Sequence, residues 1–332
     1  MGMPLVVEEV CSETVDTEPA IRTDALVRRF GPTSAVDGID LVVRCGEIYG
    51  FLGPNGAGKS TLIRMLCTLL RPSAGRAVVA GHDVVAEPNE VRLRIGVALQ
   101  EAALDNAQTG RELLALQGRL YGLGRDSVRR RVDEVLDLVS IGAAIDRRIG
   151  TYSGGMKRRL DLAAALVHRP ELVFLDEPTT GLDPESRARV WSEVARLNRE
   201  LGITIFLTTQ YLEEADALAH RVGIISNGKL VAEGTPDHLK RSIGADLVVA
   251  RVSGHDPAVL DRLKELQGVQ MVSRVDDALL IAASDGPASV LPVASLLYAS
   301  ALQVDSLTLR SPTLDDVFAE LTGSHIEVAG AR

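Results

Sequence analysis

A short glycine-rich stretch, Gly53–Thr61, constrains this chain more than any other part of the sequence. It fits the pattern G-x-x-x-x-G-K-[ST], and it lies between an apolar run typical of a buried strand and a run with helical spacing. Gly53, Gly56 and Gly58 allow backbone angles that other residues resist, so that successive N–H groups point at one anion. The stretch therefore predicts a strand–loop–helix unit that binds phosphate at a helix N-terminus.

Two side chains of this loop have the chemistry expected for a bound triphosphate. Lys59 is predicted to reach the β- and γ-phosphates, and the hydroxyl of Ser60 is predicted to hold Mg²⁺. The full set of predicted nucleotide contacts in the loop is Gly53, Asn55, Gly56, Ala57, Gly58, Lys59, Ser60 and Thr61. Apolar residues then recur at helical spacing from Leu62 to Leu70, and Pro72 is predicted to end that helix.

A strand that ends in two acidic residues provides the second half of the predicted site. The apolar run Leu172–Leu175 is followed by Asp176 and Glu177. A central strand would place Asp176 beside the phosphate-binding loop, where it can hold Mg²⁺ directly or through water. Glu177 would then orient or deprotonate the attacking water. Together with Lys59, Glu177 is predicted to be catalytic.

The composition narrows the class of protein. A chain of 332 residues has room for about two domains. Its net charge of −9 and its aromatic content of 3% argue against a general nucleic-acid binder, so no nucleic-acid partner is expected. The three cysteines are odd in number and form no C-x-x-C pair, which argues against a disulfide framework and a zinc site.

The sequence gives no sign of a signal peptide or a membrane span. The N-terminal residues are acidic, whereas a signal peptide begins with positive charge. The uncharged run Gly286–Val304 approaches the length of a bilayer span, but its prolines and polar residues favour an amphipathic helix followed by a strand. A soluble, cytoplasmic chain is expected.

The order of strand-like and helical patterns predicts two domains after a tail. Residues 1–21 are predicted to be an acidic, flexible tail. Residues 22–244 alternate strands with helices, which predicts an α/β nucleotide-binding domain with a mainly parallel sheet and a helical subdomain inserted at about residues 101–160. Residues 245–332 follow the order βαββαβ, which predicts a small α+β accessory domain of ferredoxin-like type.

A second anion-binding device lies between the two halves of the predicted site. Ser153, Gly154 and Gly155 open an apolar helix, and a helix N-terminus of this kind can bind an anion. One chain cannot easily fold both devices onto one phosphate across the helical insertion. A second subunit, docked head to tail, can present this serine-led helix to nucleotide held by the first.

Taken in chain order, these motifs resemble those of the ABC ATPases, the P-loop ATPases that act as nucleotide-binding subunits of ABC transporters. The matched motifs are the Walker A loop Gly53–Thr61, the Q-loop residue Gln100, the signature Tyr152–Gly155, the Walker B acids Asp176 and Glu177, and the D-loop Gly181–Pro184. The resemblance implies that Phe30 stacks on adenine and that Asp183 acts across a dimer. It also implies that Gln100 contacts nucleotide, senses Mg²⁺ and communicates with the membrane partner.

Two positions depart from the common family pattern. Tyr152 stands where most signature sequences have leucine. The residue at this position does not donate a hydrogen bond to phosphate. Gln210 stands where most relatives have the switch histidine, and it is the third predicted catalytic residue. Glutamine can donate a hydrogen bond to a γ-phosphate, but it cannot accept and relay a proton at neutral pH. Turnover would be modestly slowed if only the contact matters, and crippled if a relay is needed.

Two further runs, Thr208–Tyr211 and Ser311–Phe318, resemble the daunorubicin/doxorubicin-resistance ATPases within this family. That resemblance implies the ATP-hydrolysing subunit of an exporter for drugs, antibiotics or lipids, driven by ATP-dependent closure of a dimer, which is expected to be a homodimer because one chain retains every catalytic motif. It further implies separate transmembrane permease subunits and a peripheral position on the inner face of the cell membrane. Two alternatives stay open: a nucleotide-gated binding module that hydrolyses weakly because of Gln210, and a soluble ABC ATPase acting on ribosomes or DNA.

Overall fold

The computed structural model of the chain describes residues 18–99, 104–139, 141–243, 246–254, 256 and 258–322. Most of the predicted acidic tail and the predicted ligand Gln100 lie outside these residues. The boundary between two compact units falls between Ala232 and Glu233. Each unit is described by itself below.

The first unit combines strands and helices in alternation, as the sequence predicts. Its elements, in chain order, are β1 (Ile21–Phe30), β2 (Thr33–Val43), β3 (Ile48–Leu52), α1 (Lys59–Leu66), β4 (Ala74–Val79), β5 (His82–Asp83), α2 (Pro88–Arg94), β6 (Ile95–Ala98), α3 (Gly110–Leu120), α4 (Arg125–Leu138), α5 (Gly154–Leu166), β7 (Leu172–Asp176), α6 (Pro184–Leu201), β8 (Thr204–Thr209), α7 (Leu212–Leu218), β9 (Arg221–Ser226) and β10 (Lys229–Gly234). The helices α3, α4 and α5 occupy the region where an inserted helical subdomain is predicted.

A six-stranded sheet with the order β10-β9-β3-β8-β7-β6 forms the centre of this unit. The pairs β9–β3, β3–β8, β8–β7 and β7–β6 are all parallel, which confirms the predicted mainly parallel sheet. Strands β3, β7 and β8 are buried along their whole length. Such continuous apolar runs are what parallel strands need when both of their faces are covered.

A second, antiparallel sheet of four strands has the order β2-β1-β4-β5. Strands β1 and β2 are joined by a turn in which Gly31 adopts a φ of +57°. Apolar residues of this sheet share one buried cluster with α1 and with one face of the central sheet. The other buried cluster of this unit joins α3, α4 and α5 to the central sheet and to α6.

Helix α1 is shorter than the sequence predicts. It ends at Leu66, so Leu69 and Leu70 are not helical, although both continue the apolar spacing. Thr68 adopts a φ of +62°, and the N–H groups of Leu69 and Leu70 both turn back to the carbonyl of Arg64. This turn satisfies the carbonyl groups at the helix end before Pro72 is reached.

The second unit has the predicted βαββαβ order. It contains α8 (Pro236–Ile243), β11 (Asp246–Ser253), α9 (Val259–Lys264), β12 (Val269–Val275), β13 (Ala278–Ala283), α10 (Gly286–Tyr298), β14 (Gln303–Arg310) and α11 (Leu314–Thr322). The sheet order is β12-β13-β11-β14 and every neighbouring pair is antiparallel. This is the arrangement of a ferredoxin-like split βαβ unit.

Two features of the second unit bear on the sequence analysis. Helix α8 packs against α11 within this unit, which explains why the boundary lies twelve residues before the expected break between 244 and 245. The uncharged run that starts at Gly286 forms the 13-residue helix α10 and then enters β14. Among the described residues, no helix combines the length and the apolar character needed to cross a bilayer.

A buried carboxylate anchors the last helix of the second unit. Asp316 is fully buried, and it accepts hydrogen bonds from Arg310 Nη2 at 2.6 Å and from the backbone N–H of Thr313 at 2.8 Å. Burial by itself would raise the pKa of Asp316, but the hydrogen bonds from Arg310 and Thr313 lower it below its usual value. The pair therefore stabilises the start of α11 in its charged form.

We expect Asp316→Asn to destabilise the second unit by about 3 kcal/mol, because it leaves Arg310 without its buried counter-charge. The folded pKa lies below the unfolded one, so this stabilisation is present above roughly pH 4 and is lost as the pH falls further. Amide hydrogen exchange of β11 and β13 in the full chain measures the effect. Asp261→Asn, on an exposed carboxylate of α9, is the control; equal exchange in the two variants would contradict the prediction.

Candidate active site

Three strand ends bring the predicted site residues together. In the central sheet β8 lies between β3 and β7, with Leu52 of β3 opposite Thr209 and Asp176 of β7 opposite Thr208. All three strands run in the same direction, so their carboxyl ends share one edge of the sheet. Ligands of open α/β sheets bind at this edge.

The phosphate-binding loop requires glycine at two close approaches. A Cβ atom on Gly58 would lie 2.2 Å from the carbonyl oxygen of Ala35, and one on Gly53 would lie 2.5 Å from that of Ile225. Gly58 also adopts a φ of +113°, which residues with side chains rarely do. Gly58 is the N-cap of α1, so no capping side chain stands between the helix end and a phosphate.

Lys59 points back into its own loop. Its ammonium donates to the carbonyl oxygens of Gly53 at 2.7 Å and Pro54 at 3.1 Å, and it lies 3.3 Å from Glu177 Oε1. Both ionic side chains are almost completely buried. Burial lowers the pKa of Lys59 from its usual value, and the charge of Glu177 opposes that shift. The structure thus joins the predicted catalytic lysine and the predicted catalytic acid in one ion pair.

Asp176 is held from two sides. Its Oδ1 accepts a hydrogen bond from Ser60 Oγ at 3.2 Å and one from Thr208 Oγ1 at 2.5 Å. A hydroxyl and a carboxylate from these residues are the hard oxygen ligands that Mg²⁺ prefers. Ser60 and Asp176 therefore fit a magnesium ion that takes its remaining ligands from phosphate and water. The third predicted ligand, Gln100, lies outside the described residues.

Glu177 has an unusual backbone conformation that aims its side chain. Its φ of +49° lies in the left-handed region, and its N–H donates to the carbonyl oxygen of Thr208 at 3.0 Å. The other carboxylate oxygen, Oε2, accepts from Thr180 Oγ1 at 3.2 Å. Strained backbone of this kind costs roughly 1–3 kcal/mol and persists at functional sites, where the surroundings hold it in place.

Gln210 follows the end of β8, directly after the residue that pairs with Leu52. Only 3% of this residue is exposed. Among the described residues, no group hydrogen-bonds to its Oε1. An unsatisfied buried amide oxygen costs about 1–3 kcal/mol, so its presence at the sheet edge favours a ligand or water as the missing partner.

The remaining predicted contacts lie around the edges of this cluster rather than inside it. Ser153 is the exposed N-cap of α5 and accepts from the N–H of Met156 at 3.3 Å. Gly154 is exposed, whereas Gly155 is buried and would crowd Ser186 if it carried a Cβ. The serine-led helix tip therefore faces outward and is not part of this chain's own core.

Phe30 and Asp183 also lie on the surface. Phe30 is 47% exposed, and the guanidinium of Arg28 lies 4.6 Å from the centre of its ring. Asp183 is the N-cap of α6 and accepts from the N–H of Ser186 at 2.9 Å and from its hydroxyl at 2.7 Å. These hydrogen bonds from Ser186 lower the pKa of Asp183. A stacking platform and an ionised cap are available at these two positions.

Sequence reasoning did not identify Arg158, which hydrogen-bonds to the main chain next to the catalytic acids. Its guanidinium donates to the main-chain oxygens of Leu99 at 2.6 Å, Asp176 at 2.8 Å and Pro178 at 3.0 Å. It also contacts Asp161 at 3.2 Å, whose pKa burial raises to about 6. The only local signal was the run of three basic residues, Lys157, Arg158 and Arg159, near the start of α5.

A cavity of about 930 Å³ lies away from this chemistry. Leu172 and Thr204, which line it, are the first residues of β7 and β8. It therefore opens at the amino ends of strands whose carboxyl ends carry Asp176 and Gln210. The converging charges at the carboxyl ends identify the site better than this cavity does.

Comparison with known proteins agrees with this geometry. The family model described as "ABC transporter" matches residues 36–180. The daunorubicin/doxorubicin resistance ATP-binding protein DrrA of Streptomyces peucetius is 48% identical over 93% of this chain and 94% of its own length. The linearmycin resistance ATP-binding protein LnrL of Bacillus subtilis is 36% identical over 91% of this chain and 98% of its own.

A solved structure adds a match at the level of the fold. CbiO1 from Clostridium perfringens, described as part of the ABC transporter complex cbiONQ, superposes with a TM-score of 0.63 at 28% identity. The match covers 67% of this chain and 91% of CbiO1.

We expect Lys59→Ala to weaken ATP binding at least about tenfold, because it removes the buried ammonium that faces the phosphates. Isothermal titration calorimetry with Mg²⁺-ATP and the full chain measures the affinity. Lys264→Ala, which removes an exposed lysine of the second unit, is the matched control and should bind as the wild type does. Unaltered affinity in Lys59→Ala would refute the phosphate-binding assignment of the loop.

Proposed function

The chain belongs to the ATP-binding subunits of ABC transporters, and from this premise we propose that it hydrolyses ATP between two copies of itself to drive export through a separate permease. The observation that carries the proposal is the convergence of Lys59, Ser60, Asp176 and Glu177 at one edge of the sheet. Two buried carboxylates, one ammonium and one hydroxyl are the set that phosphoryl transfer to water needs.

ATP binding begins with an exchange of partners at Lys59. Its ammonium now donates to the carbonyls of Gly53 and Pro54 and pairs with Glu177. Phosphate oxygens carry more charge than these carbonyls, so the ammonium and the loop N–H groups bind them instead. Glu177 is released from the ion pair by the same exchange. Substrate binding thereby frees the carboxylate that acts next.

Glu177 serves as the base for water. Its carboxylate, steadied at Oε2 by Thr180, accepts a proton from the water whose oxygen attacks the γ-phosphorus. As the new P–O bond forms, the bond from the γ-phosphorus to the bridging oxygen breaks and ADP leaves. Mg²⁺, when bound by Ser60, Asp176 and Gln100, neutralises charge on the phosphate oxygens.

Gln210 contributes a contact to the γ-phosphate rather than a proton relay. Its amide N–H₂ group donates to phosphate, while the buried Oε1 can accept from the attacking water. An amide has no titration near neutral pH, so proton transfer has to run through Glu177 alone. We therefore propose an active ATPase with restrained turnover, which is preferred over a binding module that merely senses nucleotide.

Two chains are needed to complete each site. The exposed position of Ser153 at the tip of α5 supports its contact with nucleotide held by a second chain, docked head to tail. Asp183 and the ring of Phe30 are also exposed, as contacts to a partner and to adenine require. Because one chain carries every one of these motifs, we propose a homodimer.

We propose that export runs through separate transmembrane permease subunits with which this chain assembles. Relatives aligned over nearly the whole chain are named for resistance to daunorubicin, doxorubicin or linearmycin, which supports export of a drug-like or lipid-like compound. We place the protein on the inner face of the cell membrane, held there by permease subunits. The same full-length alignment disfavours a soluble ATPase that acts on ribosomes or DNA.

Replacing Glu177 with Gln is expected to abolish steady-state ATP hydrolysis while preserving ATP binding, because the amide cannot accept the proton of water. Turnover should fall at least about a hundredfold. Phosphate release measures hydrolysis, and size-exclusion chromatography with Mg²⁺-ATP measures accumulation of a closed dimer. Glu185→Gln, on an exposed residue of α6, is the control. Unchanged turnover in Glu177→Gln would remove Glu177 from this role.

The substitution Gln210→His tests how far the native amide restrains chemistry. If a titratable group at this position improves catalysis, the variant gains turnover above about pH 6.5, where neutral imidazole predominates. The pH profile of kcat for both proteins, measured with purified chain, is the relevant comparison. A variant with the wild-type rate and profile would show that the γ-phosphate contact alone matters at Gln210.

A further inference from the structure

Glu214 is a buried acidic residue that the ATPase site described above does not use. It lies in the first turn of α7, four positions after Gln210, and is fully buried. Burial raises the pKa of this carboxyl, against the opposing effect of its hydrogen bonds and of the charge on Arg187. Burying a carboxyl group costs folding free energy unless hydrogen bonds or an opposite charge compensate for the lost hydration.

One oxygen atom of Glu214 joins two other elements. Its Oε1 accepts from Thr179 Oγ1 at 3.2 Å and from Trp191 Nε1 at 3.0 Å. Thr179 is fully buried and follows Glu177 by two residues, whereas Trp191 lies in the second turn of α6. The carboxylate therefore connects two groups to α7, the helix that follows Gln210. One is Thr179 in the D-loop segment, which we define as residues 177–183 between β7 and α6, and the other is Trp191 of α6.

The D-loop segment is held by further hydrogen bonds between Thr179 and the start of α6. The N–H of Leu182 donates to the carbonyl of Thr179 at 3.2 Å, and Asp183 then caps α6. A second contact joins α6 to the residue directly after Gln210, since the guanidinium of Arg187 lies 4.3 Å from the ring centre of Tyr211. Any shift of Gln210 and α7 thus acts on the D-loop through Glu214 and through the arginine–tyrosine pair.

We propose that Glu214 is a positioning residue that couples Gln210 to the D-loop, so that nucleotide bound in one site sets the position of Asp183 offered to the partner subunit. A purely structural role would be met as well by a well-packed apolar side chain. Glu214 instead uses one acceptor atom to join three parts of the chain: α7, on which it lies, the D-loop segment after Glu177, and α6. The inference rests on the proposed dimeric ATPase, because Asp183 has a target only in a second chain.

Trp191 is the only tryptophan of the chain, so its fluorescence reports directly on this junction. The informative variant is Thr179→Val, which removes the hydroxyl on the nucleotide side and leaves the Trp191–Glu214 hydrogen bond in place. Its emission without nucleotide should match the wild type. In the wild type Mg²⁺-ATP should shift the emission, and in the variant that shift should be lost.

Kinetics of ATP hydrolysis provide the second readout. We expect Thr179→Val to lower kcat about tenfold while KM changes less than about twofold, because phosphate contacts are intact and only positioning is lost. Cooperativity between the two sites should fall, with a Hill coefficient near one. Thr179→Ser restores the hydroxyl and should rescue the emission shift, kcat and cooperativity. Glu214→Gln keeps an acceptor oxygen and should lie between these extremes.

The matched control is Thr23→Val. Thr23 is also buried and its hydroxyl donates to the carbonyl of Ile39 at 2.8 Å, in the antiparallel sheet. It should lose similar stability and keep both the emission shift and cooperativity. If Thr179→Val keeps them too, or if the wild type hydrolyses ATP with no emission shift, the inference is overturned. A wild type that neither binds nor hydrolyses ATP would instead overturn the proposed function.

Discussion

The parallel pairing of β3, β8 and β7 is the constraint on which the rest of the site depends. It sets Leu52 opposite Thr209 and Asp176 opposite Thr208, and so it fixes which residues leave the sheet together. Every group assigned to phosphate chemistry follows from that register, because a shift by one residue would turn the side chains at the strand ends to the opposite face. The fully buried strands make such a shift costly, since apolar residues cover both faces of the sheet.

The buried pair of Lys59 and Glu177 shows how that charged site is balanced. Removing either charge alone would leave the other without a partner in a dry environment, which is far more costly than the pair itself. In the proposed mechanism the pair also links ATP binding to catalysis, because phosphate would compete with Glu177 for the same ammonium. Thr180 holds the second oxygen of Glu177, and the left-handed backbone fixes its direction. The carboxylate thus remains oriented when Lys59 turns to phosphate, and only its electrostatic partner changes.

Local patterns predicted the elements of this protein better than the contacts between them. The glycine loop, the acidic strand end, the parallel sheet and the βαββαβ order all follow from short-range spacing, and the structure agrees with them. The predicted end of α1 was wrong, because apolar residues continue at helical spacing past a turn at Thr68 that no residue type in the sequence indicates. Arg158 and Glu214 were missed for another reason. The main-chain oxygens that Arg158 contacts lie 18–59 positions away, and the two donors to Glu214 Oε1 lie 23 and 35 positions away, so these contacts form only after the sheet has assembled.

Arg158 and Glu214 both hydrogen-bond to the short segment that follows β7. Arg158 of α5 donates to the main-chain oxygens of Asp176 and Pro178, and Glu214 of α7 accepts from the hydroxyl of Thr179. Their opposite charges lie close enough for Glu214 to oppose the burial-induced lowering of the Arg158 pKa. Arg158 anchors backbone atoms, which cannot move without breaking several bonds at once, whereas Glu214 anchors a single side chain. The first contact is therefore suited to fix the acids in place, and the second to transmit a small displacement from Gln210 while the acids stay still.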